Sequence, residues 1–124
     1  MSDTARRNAR NRARGKTWER TIEVEGRKLG FDIDRTRDTG THDQGDLALR
    51  YLGKTIVIEA KNAAFQPGPF VEEAILEATN YANKRNSPTL PHAVVFVKRR
   101  GKGGLEEHFA LTTVGEYLRL VSAT

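Results

Sequence analysis

Residues 45–62, GDLALRYLGKTIVIEAKN, constrain the fold more than any other stretch of this chain. DLALRY alternates, with Leu47, Leu49 and Tyr51 on one face, and KTIVIEAK follows after the tight turn LGK at Leu52 to Lys54, so the two runs predict a β-hairpin. The apolar run TIVI ends directly in Glu59, Ala60 and Lys61. In a strand, Glu59 and Lys61 share a face, while Ala60 points away with Ile56 and Ile58. Pairing across a turn near Leu52 and Gly53 brings Asp46 close to the Glu59–Lys61 end. Two carboxylates and an ammonium then share one patch at the edge of the sheet. Two neighbouring carboxylates repel each other unless a cation lies between them. Carboxylate oxygens and water are the ligand set of Mg²⁺, which can activate water and neutralise a phosphate, and a lysine there can orient that water. The plainer reading of the same residues is a Glu59–Lys61 surface pair, with Asp46 only starting a strand.

The flanking segments supply the other layers. Trp18, Ile22 and Leu29 recur at helical spacing and predict a helix over roughly 15–29, stopped by Gly30. FDIDRT, from Phe31, alternates as a strand and leads into the Gly- and Asp-rich loop DTGTHDQG. After the breaker QPGP, the segment from Phe70 predicts an amphipathic helix ending near Asn86, with Phe70, Ala74, either Leu76 or Glu77, and Tyr81 on its inner face. HAVVFVKRR and LEEHFALT predict a second hairpin. A last helix opens at TVGE, where Thr113 and Glu116 have capping-box spacing, and is expected to bury Tyr117, Leu118 and Val121. The expected fold class is α/β: a mixed central sheet flanked by helices, in the order αβββαββα.

Charge is unevenly placed. Residues 1–16 carry Arg6, Arg7, Arg10, Arg12, Arg14 and Lys16 against Asp3, and the remainder holds 15 basic and 15 acidic side chains, so the whole net charge of +5 sits at the start. We read 1–14 as a flexible basic arm suited to phosphate contacts and 15–124 as a single domain. A second basic cluster, KRRGKGG from Lys98 to Gly104, predicts a hairpin turn that contributes Lys98, Arg99, Arg100 and Lys102. The absence of cysteine excludes disulfides and thiolate zinc sites. No run approaches the roughly 20 apolar residues of a membrane span, and the polar start is no signal peptide, so a soluble intracellular protein is expected.

GKTWERTIEVEGRKLGFDIDR, GDLAL and IVIEAKN together resemble the PD-(D/E)XK nuclease superfamily, and within it the small Holliday junction resolvases of archaeal and phage type. The matching positions are Gly15, Glu19, Gly30 with Phe31, Arg35, the loop from Thr36 to Gly45, then Asp46, Glu59 and Lys61. Gly45 stands where the family usually has proline, and the loop lacks the family's serine, with Thr39 or Thr41 as substitutes. The resemblance covers residues 15 to about 62 by motif. It implies Asp46 and Glu59 as metal ligands with the Ala60 carbonyl, Glu19 completing the acidic site directly or through water, and Lys61 as the catalytic lysine. It implies Mg²⁺ as cofactor, with Mn²⁺ as substitute. The implied partner is branched DNA, held by the basic arm, Arg35, Arg37, Thr39, Thr41 and the basic turn, and cut as paired nicks by a homodimer in the cytoplasm of an archaeal or phage-infected cell.

Competing readings remain at this stage. The same acids serve exonucleases, nickases and restriction-type enzymes, and a non-catalytic basic DNA-binding module would carry them as structural residues. His42, His92 and His108 lack ligand spacing. Glu72 and Glu73 read as acids placed at a helix N-terminus, and Phe65 and Phe70 as core anchors beside the QPGP turn.

Overall fold

The computed structural model describes residues 2–36 and 45–122. Its organising element is β3 (Lys54–Lys61), the middle of a five-stranded sheet ordered β1-β2-β3-β4-β5. β1 (Asp32–Arg35) and β2 (Leu47–Tyr51) pair antiparallel on one side. On the other side β4 (His92–Val97) runs parallel to β3, and β5 (Phe109–Leu111) closes the edge antiparallel to β4. The predicted hairpin is present, with Leu47 opposite Ile58 and Tyr51 opposite Lys54. Its turn places Leu52 at φ 50° and Gly53 at φ 76°, the left-handed pair that a two-residue hairpin loop demands.

Alternation along β3 divides the interior into two cores. Ile56, Ile58 and Ala60 pack with Trp18 and Ile22 of α1 (Asp3–Lys28) and with Leu47 and Val94. Val57 faces Phe70, Val71, Ala74 and Ala78 of α2 (Pro67–Lys84), the crossover helix between the parallel strands β3 and β4. The indole N–H of Trp18 donates to the Phe96 carbonyl at 3.0 Å, fixing α1 to β4. The order, with α3 (Val114–Val121) last, is the expected αβββαββα, with one 3-10 turn (Leu105–Glu107) before β5.

Several boundaries differ from expectation, each for a physical reason. α1 begins at Asp3 rather than near residue 15, so the segment read as a flexible arm is helical. Its Ser2 side chain caps the Ala5 N–H at 3.1 Å, Asp3 lies in the first turn, and Ala and Arg are strong helix formers. The inner stripe of α1 is Trp18, Ile22 and Gly26, while Leu29 is the exposed cap. α2 starts inside the QPGP breaker, because proline is well suited to the first helical turn. On its inner face Glu77 is buried and Leu76 is 60% exposed. Only Phe109–Leu111 of LEEHFALT forms strand, because the preceding Leu-Glu-Glu winds into the 3-10 turn. Tyr117, Leu118 and Val121 of α3 are exposed, contrary to expectation. The helix instead rests on the core through Leu120 and on β4 through Glu116, which accepts from the Ala93 N–H at 3.1 Å. Phe70 is buried as expected, whereas Phe65 is exposed.

Gly45 explains its own departure from proline. Its φ is +88°, which proline cannot adopt, and a Cβ there would lie 2.4 Å from Val57 Cγ1. Replacing Gly45 with alanine is therefore expected to cost about 1–3 kcal/mol of stability, seen as a lower urea midpoint with unchanged slope.

Candidate metal and catalytic site

The end of β3 gathers the sequence-predicted acids from both sides of the sheet. Asp46 precedes β2, and its backbone N–H donates to the Ile58 carbonyl at 3.0 Å, extending the ladder by one bond. Its Oδ2 accepts from the Ala60 N–H at 2.8 Å, which holds the carboxylate against the strand bearing Glu59 and Lys61. Glu19, one residue past the buried Trp18, reaches Asp46 from α1 and forms a hydrogen bond with it. Burial, followed by the charge and hydrogen bond of Asp46, raises the Glu19 carboxyl to about 7, while Arg35 and Lys16 pull it the other way. A bond between two carboxyls requires a proton or a cation.

Glu59 and Lys61 face α2, as the strand period predicts. Glu59 is 5% exposed, and burial raises its carboxyl to about 8; the neighbouring Glu77 carboxyl and Lys61 counteract this, and the charge of Asp46 adds to it. Its Oε2 is buried and receives no N–H or hydroxyl donor among the described residues, while the Glu77 carboxyl lies within hydrogen-bond reach of Glu59. Lys61 Nζ lies 3.5 Å from Glu59 Oε1 and 2.6 Å from Glu73 Oε2. Burial lowers its ammonium, but the two glutamates outweigh that and leave its pKa raised. The donor set fits a hard divalent cation: oxygens only, among them the buried Oε2 of Glu59, to which no N–H or hydroxyl of the described residues donates. The set that the resemblance implies for it is Asp46, Glu59, the Ala60 carbonyl and Glu19, whereas among the described residues the acids whose oxygens lie within 4.8 Å of one another are Glu59, Glu73 and Glu77.

Sequence reasoning missed two acids. Glu73, read as an N-terminal dipole residue, is the closest partner of Lys61, and Glu77 lies with 2% exposure beside Glu59. Periodicity had placed Glu77 on the inner face only as an alternative to Leu76, and a charge on a buried helical stripe was the available signal. His92 bonds Glu116 at 3.0 Å, and His108 accepts from the Arg99 N–H at 2.9 Å and packs edge-on against Trp18, so both are structural.

The basic residues flank this site. Arg6, Arg7, Arg10, Arg12, Arg14 and Lys16 are all exposed on the first half of α1, where Arg6, Arg10 and Arg14 recur once per turn. Arg35 pairs with Glu23 at 3.5 Å. The basic turn springs from beside the site itself, because the Lys98 N–H donates to the Lys61 carbonyl at 2.9 Å. Lys98 lies 5.9 Å from the Trp18 ring and Arg99 4.6 Å from that of Phe109, with Arg100 and Lys102 exposed beyond. Arg37, Thr39 and Thr41 lie outside the described residues.

The raised carboxyls make a signed prediction. A carboxyl whose folded pKa exceeds its unfolded value gives stability that is lost as pH rises through the folded value. His92 and His108, both lowered chiefly by burial, act below 6.5 and in the opposite sense. In EDTA, stability should therefore fall between pH 6.5 and 8.5 as Glu59 is forced to ionise. Urea unfolding at the two pH values checks this, and Glu59→Gln should flatten the difference.

No protein-family model and no curated protein matches the chain. Among solved structures it is similar to Hjc, a Holliday junction resolvase from the archaeal hyperthermophile Archaeoglobus fulgidus, with a TM-score of 0.50 and 18% sequence identity. The match covers 83% of this chain and 91% of that one. Among the described residues no helix is long and apolar enough to cross a membrane. The mixed five-stranded α/β architecture of this chain is thus the fold of an archaeal Holliday junction resolvase.

Proposed function

We propose that this chain is a metal-dependent, structure-selective DNA endonuclease: a Holliday junction resolvase that makes paired phosphodiester cuts near a four-way branch point. The observation that carries the reading is the meeting of Asp46, Glu59, Lys61 and Glu19 at the end of β3, directly beside a basic turn. The shared fold with a protein that is itself a Holliday junction resolvase supports it.

Each residue has a role that follows from its surroundings. Asp46, oriented by the Ala60 N–H, and the buried Glu59 would hold Mg²⁺ or Mn²⁺ with the Ala60 carbonyl. Glu19 adds its carboxyl from α1. When bound, the cation supplies a water of lowered pKa and neutralises charge on the scissile phosphate. Lys61, kept protonated by Glu73 and Glu59, orients the attacking water and stabilises the extra negative charge that develops on phosphorus. The helical arginine stripe, Arg35 and the basic turn hold the backbone of the arms, with Arg37, Thr39 and Thr41 in the adjoining loop. Two symmetric cuts per junction call for a homodimer with a two-fold axis.

The deciding experiment incubates the protein with a labelled synthetic four-way junction, in Mg²⁺ and in EDTA, beside linear duplex and a splayed fork. Paired nicks in the junction alone, lost in EDTA, are expected; cutting of every substrate would remove the resolvase assignment, and tight binding without cutting would reduce the chain to a DNA-binding module. Glu59→Ala and Asp46→Asn should each lower cleavage by at least about 100-fold while junction affinity stays within about three-fold, because phosphate contacts rest on the cations. Arg100→Gln with Lys102→Gln should weaken binding to all DNA alike and reduce the slope of log K against log salt by about two, read from fluorescence anisotropy.

A further inference from the structure

Two phenylalanines stand at the surface beside the candidate site. Phe65, in the connection between β3 and α2, is 55% exposed, and Phe109, the first residue of β5, is 48% exposed. Their ring centroids are 6.4 Å apart, and Phe65 meets the buried Phe70 edge-on, also at 6.4 Å. At one end of this aromatic row Lys61 Nζ lies 5.4 Å from the Phe70 ring. At the other end the Arg99 guanidinium lies 4.6 Å from the Phe109 ring, held there by a bond to the Glu107 carbonyl at 3.0 Å. The sheet register fixes the placement. Lys61 stands opposite Val97 and Val97 opposite Phe109, so the three share the α2 face of the sheet, in which Val97 is buried. Two strand spacings separate Phe109 from Lys61, about 10 Å. Single exposed apolar residues are ordinary on a protein surface. An adjoining aromatic pair between a lysine of the site and a basic turn is a different composition: ring faces for bases, with cations alongside for phosphates.

We propose that Phe65 and Phe109, with Arg99, form a stacking platform for unpaired nucleobases of DNA. Every base has a π-face, so such a platform takes bases without regard to sequence. Arg100 and Lys102, exposed on the turn beyond Arg99, supply the charge complement of the phosphate backbone that carries those bases. The platform rests on the nuclease reading only for which phosphate lies beside Lys61. On that reading, about 10 Å corresponds to about three stacked nucleotides at 3.4 Å each, so bases within that distance of the cut reach the rings. A linear duplex offers no free base face, because its bases are paired and stacked. A branch point interrupts that stack, and a base already freed costs least to draw out. The two phenylalanines therefore favour branched over linear DNA at the step of binding, before any bond is broken.

Binding is measured in EDTA, where nothing is cut, by fluorescence anisotropy of a labelled single-stranded oligothymidylate and a linear duplex. Phe65→Leu combined with Phe109→Leu, both at exposed positions, should weaken single-strand binding at least about ten-fold and leave duplex binding within about two-fold. The slope of log K against log salt should not change, because stacking releases no counterions. Phe65→Trp should keep the single-strand affinity. In the unsubstituted protein, 5-iododeoxyuridine placed at successive positions beside the branch point of a four-way junction should photocross-link to Phe65 or Phe109. Equal loss on single strand and duplex, or loss on neither, overturns the proposal, as does cross-linking confined to other residues. The nuclease reading fails separately: single-strand binding that depends on both phenylalanines, in a protein that cuts no DNA in Mg²⁺, would overturn that reading and leave the platform standing.

Discussion

The desolvation of Glu59 is the constraint on which the rest of this site depends. A central strand flanked by neighbours on both edges and cores on both faces is the least solvated place in the fold, and an acid at its end keeps little water. What lies around Glu59 follows from that. Asp46 is held by a backbone donor and turned toward Glu19, Lys61 is drawn in by two carboxylates, and Val57 continues the apolar face immediately before the charge. A structural ion pair alone would leave a poor account of these residues, since Lys61 is shared between Glu59 and Glu73 while Glu59 and Glu77 are both buried.

Much of this was legible in the sequence because it depends on short-range order. The strand period alone puts Glu59 and Lys61 on one face and Ala60 on the other. The turn at Leu52 and Gly53 fixes the register that brings Asp46 to the same end. Thr113 announces the start of α3 through a cap that needs only three residues. Each of these rests on geometry within a single element or across one tight turn.

What was not legible depends on how elements meet. The choice between Leu76 and Glu77 on the inner face of α2 turns on a rotation of a few tens of degrees, which packing against β3 decides. Tyr117, Leu118 and Val121 form an apolar stripe that reads as core, yet α3 rests on β4 through Glu116, and Leu120 makes its apolar contact. Gly26 takes a core position because Ile33 approaches within 3.1 Å of where its Cβ would be, a closeness that no periodicity records. The basic segment read as an arm lacks apolar periodicity, but a helix needs only a cap and favourable residues to continue outward from an anchored half.

That outward half makes α1 a ruler. Trp18 pins the helix to β4, and a helix advances about 1.5 Å per residue, so the stretch from Lys16 to Arg6 extends for about 15 Å beyond the anchor. Successive phosphates along one strand of a duplex are about 3.4 Å apart along the axis, so the stripe matches the reach of four or five of them. Because Glu19 sits one residue past the pin, the distance between the acids and the outermost arginine is set by residue count. Inserting or deleting one turn of helix between them would shift that register by about 5.4 Å while leaving every side chain at the end of β3 where it is.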